Sequence, residues 1–309
     1  MAVPYSARGS GVMVGVEVTP GTAVSRTKSW PINGSTLTST RTRNVRGRLS
    51  HGTGGFVKDE FVASVEVGGA LTIPASYSGL GLLMRAALGA AASSGTGPYT
   101  HTYGPAAALP SLTIEQIYGD SGRSILNAGC KINSLGLSVT PGGEVLWNVD
   151  IIGMSAAADG SAGSPSYPSV VFAEAFECVV TWGGSSIGTV KSVEATITNG
   201  ATRRPQVGAL TSAEPSVGVP RRATATIVVD KDSFAPRIAE TADTTGDLVL
   251  TFTDTATGAK TITITLQDCR ATVTETVGGS MADLTTSIAF ASNDTPSIVI
   301  VNAESSYDS

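Results

Sequence analysis

Short runs in which apolar and polar residues alternate recur along the whole chain, and glycine-rich turns separate them. Clear examples lie at residues 63–73 (ASVEVGGALTI), 190–198 (VKSVEATIT) and 222–229 (RATATIVV). An alternation of period two places every second side chain on the same face, so these runs predict strands with one buried face. The abundance of valine and threonine, which favour strands, and the 36 glycines, which favour turns, support an all-β fold.

Two segments instead carry apolar residues at helical spacing. Within residues 74–89 the apolar side chains fall on one face and Gly89 marks the end; they are Leu80, Leu83, Met84, Ala87 and Leu88. Residues 230–242 predict a second, shorter helix, with Asp232 or Ser233 as N-cap and Pro236 in the first turn. Its apolar face would consist of Phe234, Ile238 and Ala242. The predicted class is therefore all-β with minor α content.

The same order of elements occurs twice along the chain. In the first half it comprises strands at 37–42 and 63–73, the helix at 74–89, and strands at 99–103, 112–118, 129–139 and 145–154. In the second half it comprises strands at 190–198 and 222–229, the helix at 230–242, and strands at 248–253, 260–267, 268–277 and 281–292. Cys130 and Cys269 stand at matching places, each followed by a basic residue, alternation and a Gly-Gly turn. This pattern predicts a duplicated domain, with chance resemblance between low-complexity strands as the alternative.

The predicted domain boundary lies near the middle of the chain. Residues 156–168 (AAADGSAGSPSYP) are small and turn-rich, which is typical of a linker or exposed loop. The first domain would span residues 1–165, including an N-terminal arm at 1–30 and this linker, and the second would span residues 166–309. Each would carry one short helix and long loops.

Composition narrows the class of protein. Hydrophobic residues make up 41% of the chain and charged residues only 15%, fewer than an ordinary soluble surface carries, which favours a protein that hides surface in partners. The net charge is −5, with +2 in residues 1–165 and −7 in residues 166–309, whereas a nucleic-acid binder normally has a basic surplus. Three widely spaced cysteines, no apolar leader and no long apolar run predict a chain that is soluble and intracellular when made, without membrane contact.

Candidate chemistry is sparse. His51 and His101 are the only histidines, and His101 lies in an alternating strand where a surface position is expected rather than a catalytic role. Cys130 and Cys269 are expected to be small core residues, and no cysteine or histidine spacing suits zinc. Asp230 and its neighbours lack the glycine and the final glutamate of an EF-hand, and no phosphate-binding glycine loop is present. The sequence therefore predicts neither enzyme activity, nor a metal, nor a cofactor.

Arginines cluster in the long stretch of each half, and the sequence leaves three interpretations of them open. They could contact phosphates of a nucleic acid, pair with acidic surfaces of neighbouring subunits, or form merely solvated loops. The acidic chain as a whole favours the second interpretation. The cluster consists of Arg41, Arg43, Arg46 and Arg48 in the first half and of Arg203, Arg204, Arg221 and Arg222 in the second.

Several short motifs, taken in their order along the chain, resemble those of one protein family. Residues 11–21 (GVMVGVEVTPG) resemble the opening of tail tube proteins of long non-contractile bacteriophage tails, where a Glu-x-Thr-Pro-Gly turn follows a short strand. The segments 65–71, 78–83, 98–103, 109–115 and 129–135 are similar to later motifs of that family. The resemblance covers residues 10–155, and the second half joins it through the repeat.

The resemblance implies two similar β-sandwich or open-barrel tube domains, each flanked by one helix. It implies a structural protein of the virion tail, assembled in the host cytoplasm, whose rings stack through the loops 43–55 and 199–219. Three two-domain chains would complete a pseudo-sixfold ring, although most members of the family carry one domain and form rings of six. The implied partners are other copies of the chain, a tape-measure protein in the lumen, terminator and distal tail proteins at the tube ends, and DNA as passing cargo. The alternative is a β-sandwich decoration or adhesin module that binds host glycans; a hydrolase is the third possibility.

Overall fold

The structure is a computed structural model, and it describes residues 10–45, 60–119, 122–159, 162–167, 170–218, 220–231, 235–276 and 284–307. Strands account for most of these residues, and two short α-helices and a 3₁₀ helix (Ala175–Glu177) complete the regular structure of the described part, which confirms the predicted all-β class with minor α content. Arg46, Arg48, Asp232, Ser233 and Phe234 lie outside the described residues.

The strands of the first half are the following, in chain order: β1 (Gly11–Val16), β2 (Lys28–Trp30), β3 (Gly34–Ser35), β4 (Thr38–Val45), β5 (Glu60–Pro74), β6 (Gly89–Ser94), β7 (Tyr99–Pro105), β8 (Leu112–Ile117), β9 (Ser124–Val139), β10 (Leu146–Gly153) and β11 (Ser155–Asp159). Those of the second half are β12 (Cys178–Trp182), β13 (Ser185–Ser186), β14 (Val190–Thr198), β15 (Thr202–Arg204), β16 (Ala213–Ser216), β17 (Arg222–Asp230), β18 (Thr245–Thr253), β19 (Thr261–Thr276), β20 (Thr285–Ser292) and β21 (Ser297–Asn302). Helix α1 (Gly81–Leu88) follows β5, and helix α2 (Ala235–Thr241) follows β17.

Antiparallel pairing runs through both halves in the same order. In the first half each of β4, β5, β10, β9, β8, β1 and β2 pairs with the next. In the second half the corresponding series is β14, β17, β20, β19, β18, β12 and β13. Each helix follows the second strand of its series along the chain. Helix α1 follows β5, and helix α2 follows β17.

Two strand pairs join the halves. Strand β14 of the second half pairs with the second part of β9, from Val193 opposite Val139 to Thr198 opposite Ser134. Strand β21, the last strand of the chain, pairs with β19 of the second half on one side and with β7 of the first half on the other. The first residues of the expected linker form β11, which pairs with the start of β9. Backbone hydrogen bonds therefore run without a break from one half into the other.

Helix α1 packs as its spacing predicts. Leu83, Met84, Ala87 and Leu88 are buried, and Gly89 ends the helix at a φ of 104°, a left-handed conformation that glycine adopts without strain. Burial of each large apolar side chain contributes on the order of 1.5–3 kcal/mol. The helix thus fastens the turn between β5 and β6 to the core.

Two expectations about the second half are wrong in detail. Of the predicted apolar face of α2, Ile238 is 67% exposed and Ala242 is exposed, so neither is buried, while Phe234 lies outside the described residues. The predicted strands at 260–267 and 268–277 form the single strand β19, in which Asp268 has a φ of 48°. An irregular residue inside a continuous strand breaks the alternation and makes it resemble two strands.

Candidate subunit interfaces

Arg41 and Arg43 lie on β4, on an exposed stretch of the β4–β5 hairpin. The Arg43 guanidinium is 4.0 Å from the Glu60 carboxylate on the paired strand, and both side chains are more than half exposed. An ion pair this exposed contributes little to stability, on the order of 0–1 kcal/mol. The two side chains are therefore available for contacts outside the chain.

The second-half loop lies across β5 of the first half. Arg203 donates a hydrogen bond of 3.0 Å to the Val67 carbonyl, and its guanidinium lies 3.8 Å from the Glu66 carboxylate. Farther along the loop, the Val65 amide donates to the Leu210 carbonyl at 2.8 Å. The structure thus brings Arg203 to an acidic residue of its own chain, while Arg204 stays exposed.

Arg221 and Arg222 lie apart from the other arginines. Together with Leu88, Ile197 and Pro296 they line a hollow of about 310 Å³. Burial lowers the pKa of Arg221 from its ordinary value. The arginines named from the sequence therefore do not form one surface among the described residues.

Asn199 completes the junction between β14 and β9. It is 1% exposed, and its side-chain amide donates to the Ala87 carbonyl at the end of α1 at 2.8 Å and to the Ile132 carbonyl of β9 at 3.0 Å. Its backbone amide donates to the Asn133 carbonyl at 2.7 Å. One residue of the second half thus binds both the helix and the strand of the first.

Glu177 makes a second link between the halves. Its carboxylate accepts from the Tyr77 hydroxyl at 2.6 Å and from the amide and hydroxyl of Thr255 at 2.8 and 2.9 Å. Burial by itself raises the pKa of Glu177, but these hydrogen bonds outweigh it and the pKa lies below its ordinary value. Burial and the bond to Glu177 raise the pKa of Tyr77. Neither Tyr77 nor Glu177 was among the site residues predicted from the sequence.

His101 is buried at 1% exposure, so the expected surface position is wrong. Its Nδ1 lies 2.7 Å from the Ser93 hydroxyl, and its Nε2 lies 2.8 Å from the Glu304 carbonyl and 3.1 Å from Asn302 Oδ1. Because two acceptors face Nε2, that nitrogen carries the proton and Nδ1 accepts from Ser93. The residue fastens the C-terminal segment to β7.

The Glu-x-Thr-Pro-Gly turn is built around a buried carboxylate. Glu17 is 7% exposed, and its Oε2 accepts from the Gly21 amide and the Ser111 hydroxyl, both at 2.8 Å. Its Oε1 accepts from the Thr113 hydroxyl at 2.8 Å and the Gly129 amide at 2.9 Å. Four donors from three separate segments converge on this group, which accounts for a glutamate at this position.

Glu115 on β8 is the other fully buried carboxylate of this region. Arg26 Nε lies 2.7 Å from Glu115 Oε2, and the Gly163 amide donates to Oε1 at 3.0 Å. Burial raises the pKa of Glu115, but the hydrogen bonds from Arg26 and Gly163 oppose it, and the pKa lies below its ordinary value. The pair holds the segment after β1 against β8.

Several strands have a neighbouring strand on one side only among the described residues, and two of these open edges lie beside charged side chains. The outer edge of β4 is one. The other is the last part of β19, on the side away from β20, where two side chains of α2 cover the backbone of Val273. The Val273 amide donates to Glu240 Oε1 at 3.0 Å, and its carbonyl accepts from Arg237 Nη1 at 3.2 Å. Arg237 and Glu240 also form an ion pair at 2.6 Å.

The described residues contain no group of three or more potential metal ligands. None of the described helices has the length and apolar character needed to cross a membrane. Cys130 and Cys269 are fully buried in the core, as predicted.

Backbone pairing that joins the two halves, together with buried carboxylates that hold turns and junctions, defines an all-β protein whose halves share one sheet. The model of a family described as phage tail tube protein matches residues 7–294. The chain belongs to this family, which is a family of structural proteins of the bacteriophage tail and not of enzymes. No curated protein matched the chain.

Proposed function

We propose that the chain is the ring-forming subunit of a long, non-contractile tail tube and that it contains two tube domains, residues 1–165 and 166–309. The observation that carries this proposal is the identical order of strand pairing in the two halves, joined by the pairing of β14 with β9. A sheet edge is a row of unpaired donors and acceptors, and head-to-tail pairing of identical edges closes into a ring when the rotation allows it.

The internal junction supports a ring of three chains. If the rotation that relates the first half to the second is repeated between chains, every domain meets its neighbours in the same way. Three two-domain chains then complete a pseudo-sixfold ring. Such rings stack into a hollow tube that holds a tape-measure protein during assembly, ends at terminator and distal tail proteins, and later passes DNA into the host.

Charge supports the role of a conduit. The second half carries a net charge of −7, and an acidic lumen repels the phosphate backbone so that DNA passes without binding. The arginines of the loops 43–55 and 199–219 would face acidic surfaces of the adjacent ring. The exposed Arg43 and Arg204 are available for that contact, whereas Arg203 is engaged within its own chain.

Negative-stain electron microscopy of the purified chain, combined with native mass spectrometry, tests the proposal. We expect rings or tubes with six similar lobes per ring and a ring mass of three chains. A chain that stays monomeric at all concentrations and salt conditions, or rings of six chains, would contradict it.

A further inference from the structure

The two halves of the sheet can be compared row by row across their strands. In the first half Leu71 of β5, Val149 of β10 and Leu135 of β9 lie side by side. In the second half the matching row is Ile227 of β17, Ile288 of β20 and Val273 of β19. All six side chains are buried.

The first row continues and the second does not. Beyond Leu135 lies Ile197 of β14, which belongs to the other half. Beyond Val273 no strand follows among the described residues, and Arg237 and Glu240 bind its backbone instead. The edge of β19 is therefore the counterpart of the edge of β9 that β14 occupies.

The repeat also identifies the strand that belongs there. Val193 of β14 pairs with Ile227, just as Ser35 pairs with Leu71, so Val193 and Ser35 are counterparts. Four residues farther along each strand stand Ile197 and Ser39. The missing neighbour of Val273 is thus Ser39 of β4 in another copy of the chain.

The free backbone groups of β4 point in the required direction. The Thr36 amide donates to the Ala70 carbonyl of β5, and in an antiparallel ladder successive residues face opposite edges. Ser39 and Arg41 therefore direct their amides and carbonyls away from β5. Val273 directs its own groups outward, because the α2 side chains bind them there.

We propose that rings close when β4 of one copy adds to the outer edge of β19 of the next. Ser39 then lies opposite Val273 and Arg41 opposite Ala271. The Arg237–Glu240 pair covers this edge in the free chain and leaves it on assembly. The inference rests on the proposed ring function and specifies its contact.

Two details of α2 agree with this arrangement. The exposed Ile238 lies on the helix that faces the open edge, where a second copy would cover it. Arg41 is the counterpart of Asn199, which binds the last turn of α1. Arg41 therefore replaces the amide donor with a guanidinium, which suits the carbonyls at a helix C-terminus. Helix α2 itself need not move, since α1 coexists with β14 in the first half.

Cysteine cross-linking tests the strand and its register. Thr40 and Thr272 are exposed, and the register places them opposite each other in a pair without backbone hydrogen bonds, where side chains come closest. Thr40→Cys with Thr272→Cys should form disulfides between copies that join every chain of a ring. The matched control is Thr42→Cys with Thr274→Cys, which the register separates by four residues, about 13 Å.

The outcomes separate this inference from the proposed function. Rings without a Thr40–Thr272 cross-link, or rings that cross-link in the control instead, overturn the contact and leave the ring function standing. The absence of rings in the wild-type chain overturns the ring function.

A double substitution tests whether the Arg237–Glu240 pair covers the outer edge of β19 in the free chain. Arg237→Ala with Glu240→Ala uncovers the edge, and it should lower the protein concentration at which rings form by roughly tenfold, because two hydrogen bonds no longer compete with assembly. The control is Lys191→Ala with Asp230→Ala, which removes another partly exposed ion pair (3.2 Å) without uncovering an edge. An unchanged or higher assembly concentration in the Arg237 and Glu240 variant would show that the pair does not guard the contact.

Discussion

Replacing Glu17 by glutamine tests whether the buried carboxylate holds the turn after β1. The substitution keeps the size of the side chain and changes one oxygen into an amide group. Each carboxylate oxygen accepts two hydrogen bonds, from the Gly21 amide and the Ser111 hydroxyl or from the Thr113 hydroxyl and the Gly129 amide. Whichever oxygen is replaced, an NH₂ group then faces two donors.

The expected loss follows from this geometry. A hydrogen bond to a charged group contributes about 1.5–3 kcal/mol, so losing two of them should lower the free energy of unfolding by about 3–6 kcal/mol. For a domain of 150–250 residues each kcal/mol shifts the melting temperature by about 2–4 °C, so a decrease on the order of 10 °C is expected.

Equilibrium unfolding in urea, followed by circular dichroism and tryptophan fluorescence, measures the effect. Glu194→Gln on the exposed face of β14 is the matched control, since it makes the same chemical change at a solvated position and should alter stability by no more than about 0.5 kcal/mol. A Glu17→Gln variant within 1 kcal/mol of this control would refute the reasoning that the four contacts stabilise the turn.

Three further predictions concern acid stability, the C-terminal segment and ring stacking. The pKa of Glu115 is about 4.5 in the unfolded chain and lower in the folded chain, so its ionised form stabilises the fold above pH 4.5, and this stability is lost as the pH falls through the folded pKa. Glu115→Gln should therefore weaken the decrease of the unfolding midpoint at acid pH. An unchanged decrease would contradict this. His101→Ala should cost about 3 kcal/mol and make residues after β21 sensitive to protease, and protease resistance equal to the wild type would count against the role of His101 as a fastener. Replacing Arg43, Arg46 and Arg48 by glutamate should prevent rings from stacking, while the melting temperature stays within a few degrees of that of the wild type because exposed charges contribute little to stability. Normal tubes would show that this loop does not mediate stacking.

The local pattern of apolar and polar residues was sufficient to predict most strands and helices. The predicted strand at 190–198 coincides with β14, and α1 buries the face that its spacing predicted. These elements are recognisable because an alternation of period two, or an apolar stripe of period 3.6, is a property of consecutive residues. The exposed face of α2 shows the limit of the method, since a stripe indicates a helix but does not say which surface covers it.

Contacts between distant segments could not be predicted from pattern. His101 shares a strand face with the buried Tyr103, but its polarity suggested solvent. The strand that buries it, β21, pairs Ile300 with His101 across about 200 residues of sequence, and nothing near His101 indicates that pairing. Glu17, Glu115 and Glu177 likewise appear as ordinary charged residues until donors from other segments surround them. Glu17 has a local signal in the Thr-Pro-Gly turn that begins two residues after it, whereas Glu115 lies inside a strand and Glu177 directly before one.

The proposed internal repeat would remove part of this limitation at the outer edges of β4 and β19. Alternation says that β4 and β19 are strands, and it says nothing about what lies beside their outer edges. In the proposed ring, the β9–β14 junction is the copy of the contact that lies within the chain, and the pairing of Leu135 with Ile197 gives its register. This register requires Ser39 and Val273 to direct their backbone groups outward. The side chains of Arg237 and Glu240 bind those of Val273, and the alternation of β4 directs those of Ser39 away from β5. The orientation of these groups therefore supports the proposal that one contact, made once within the chain and once between chains, builds the ring.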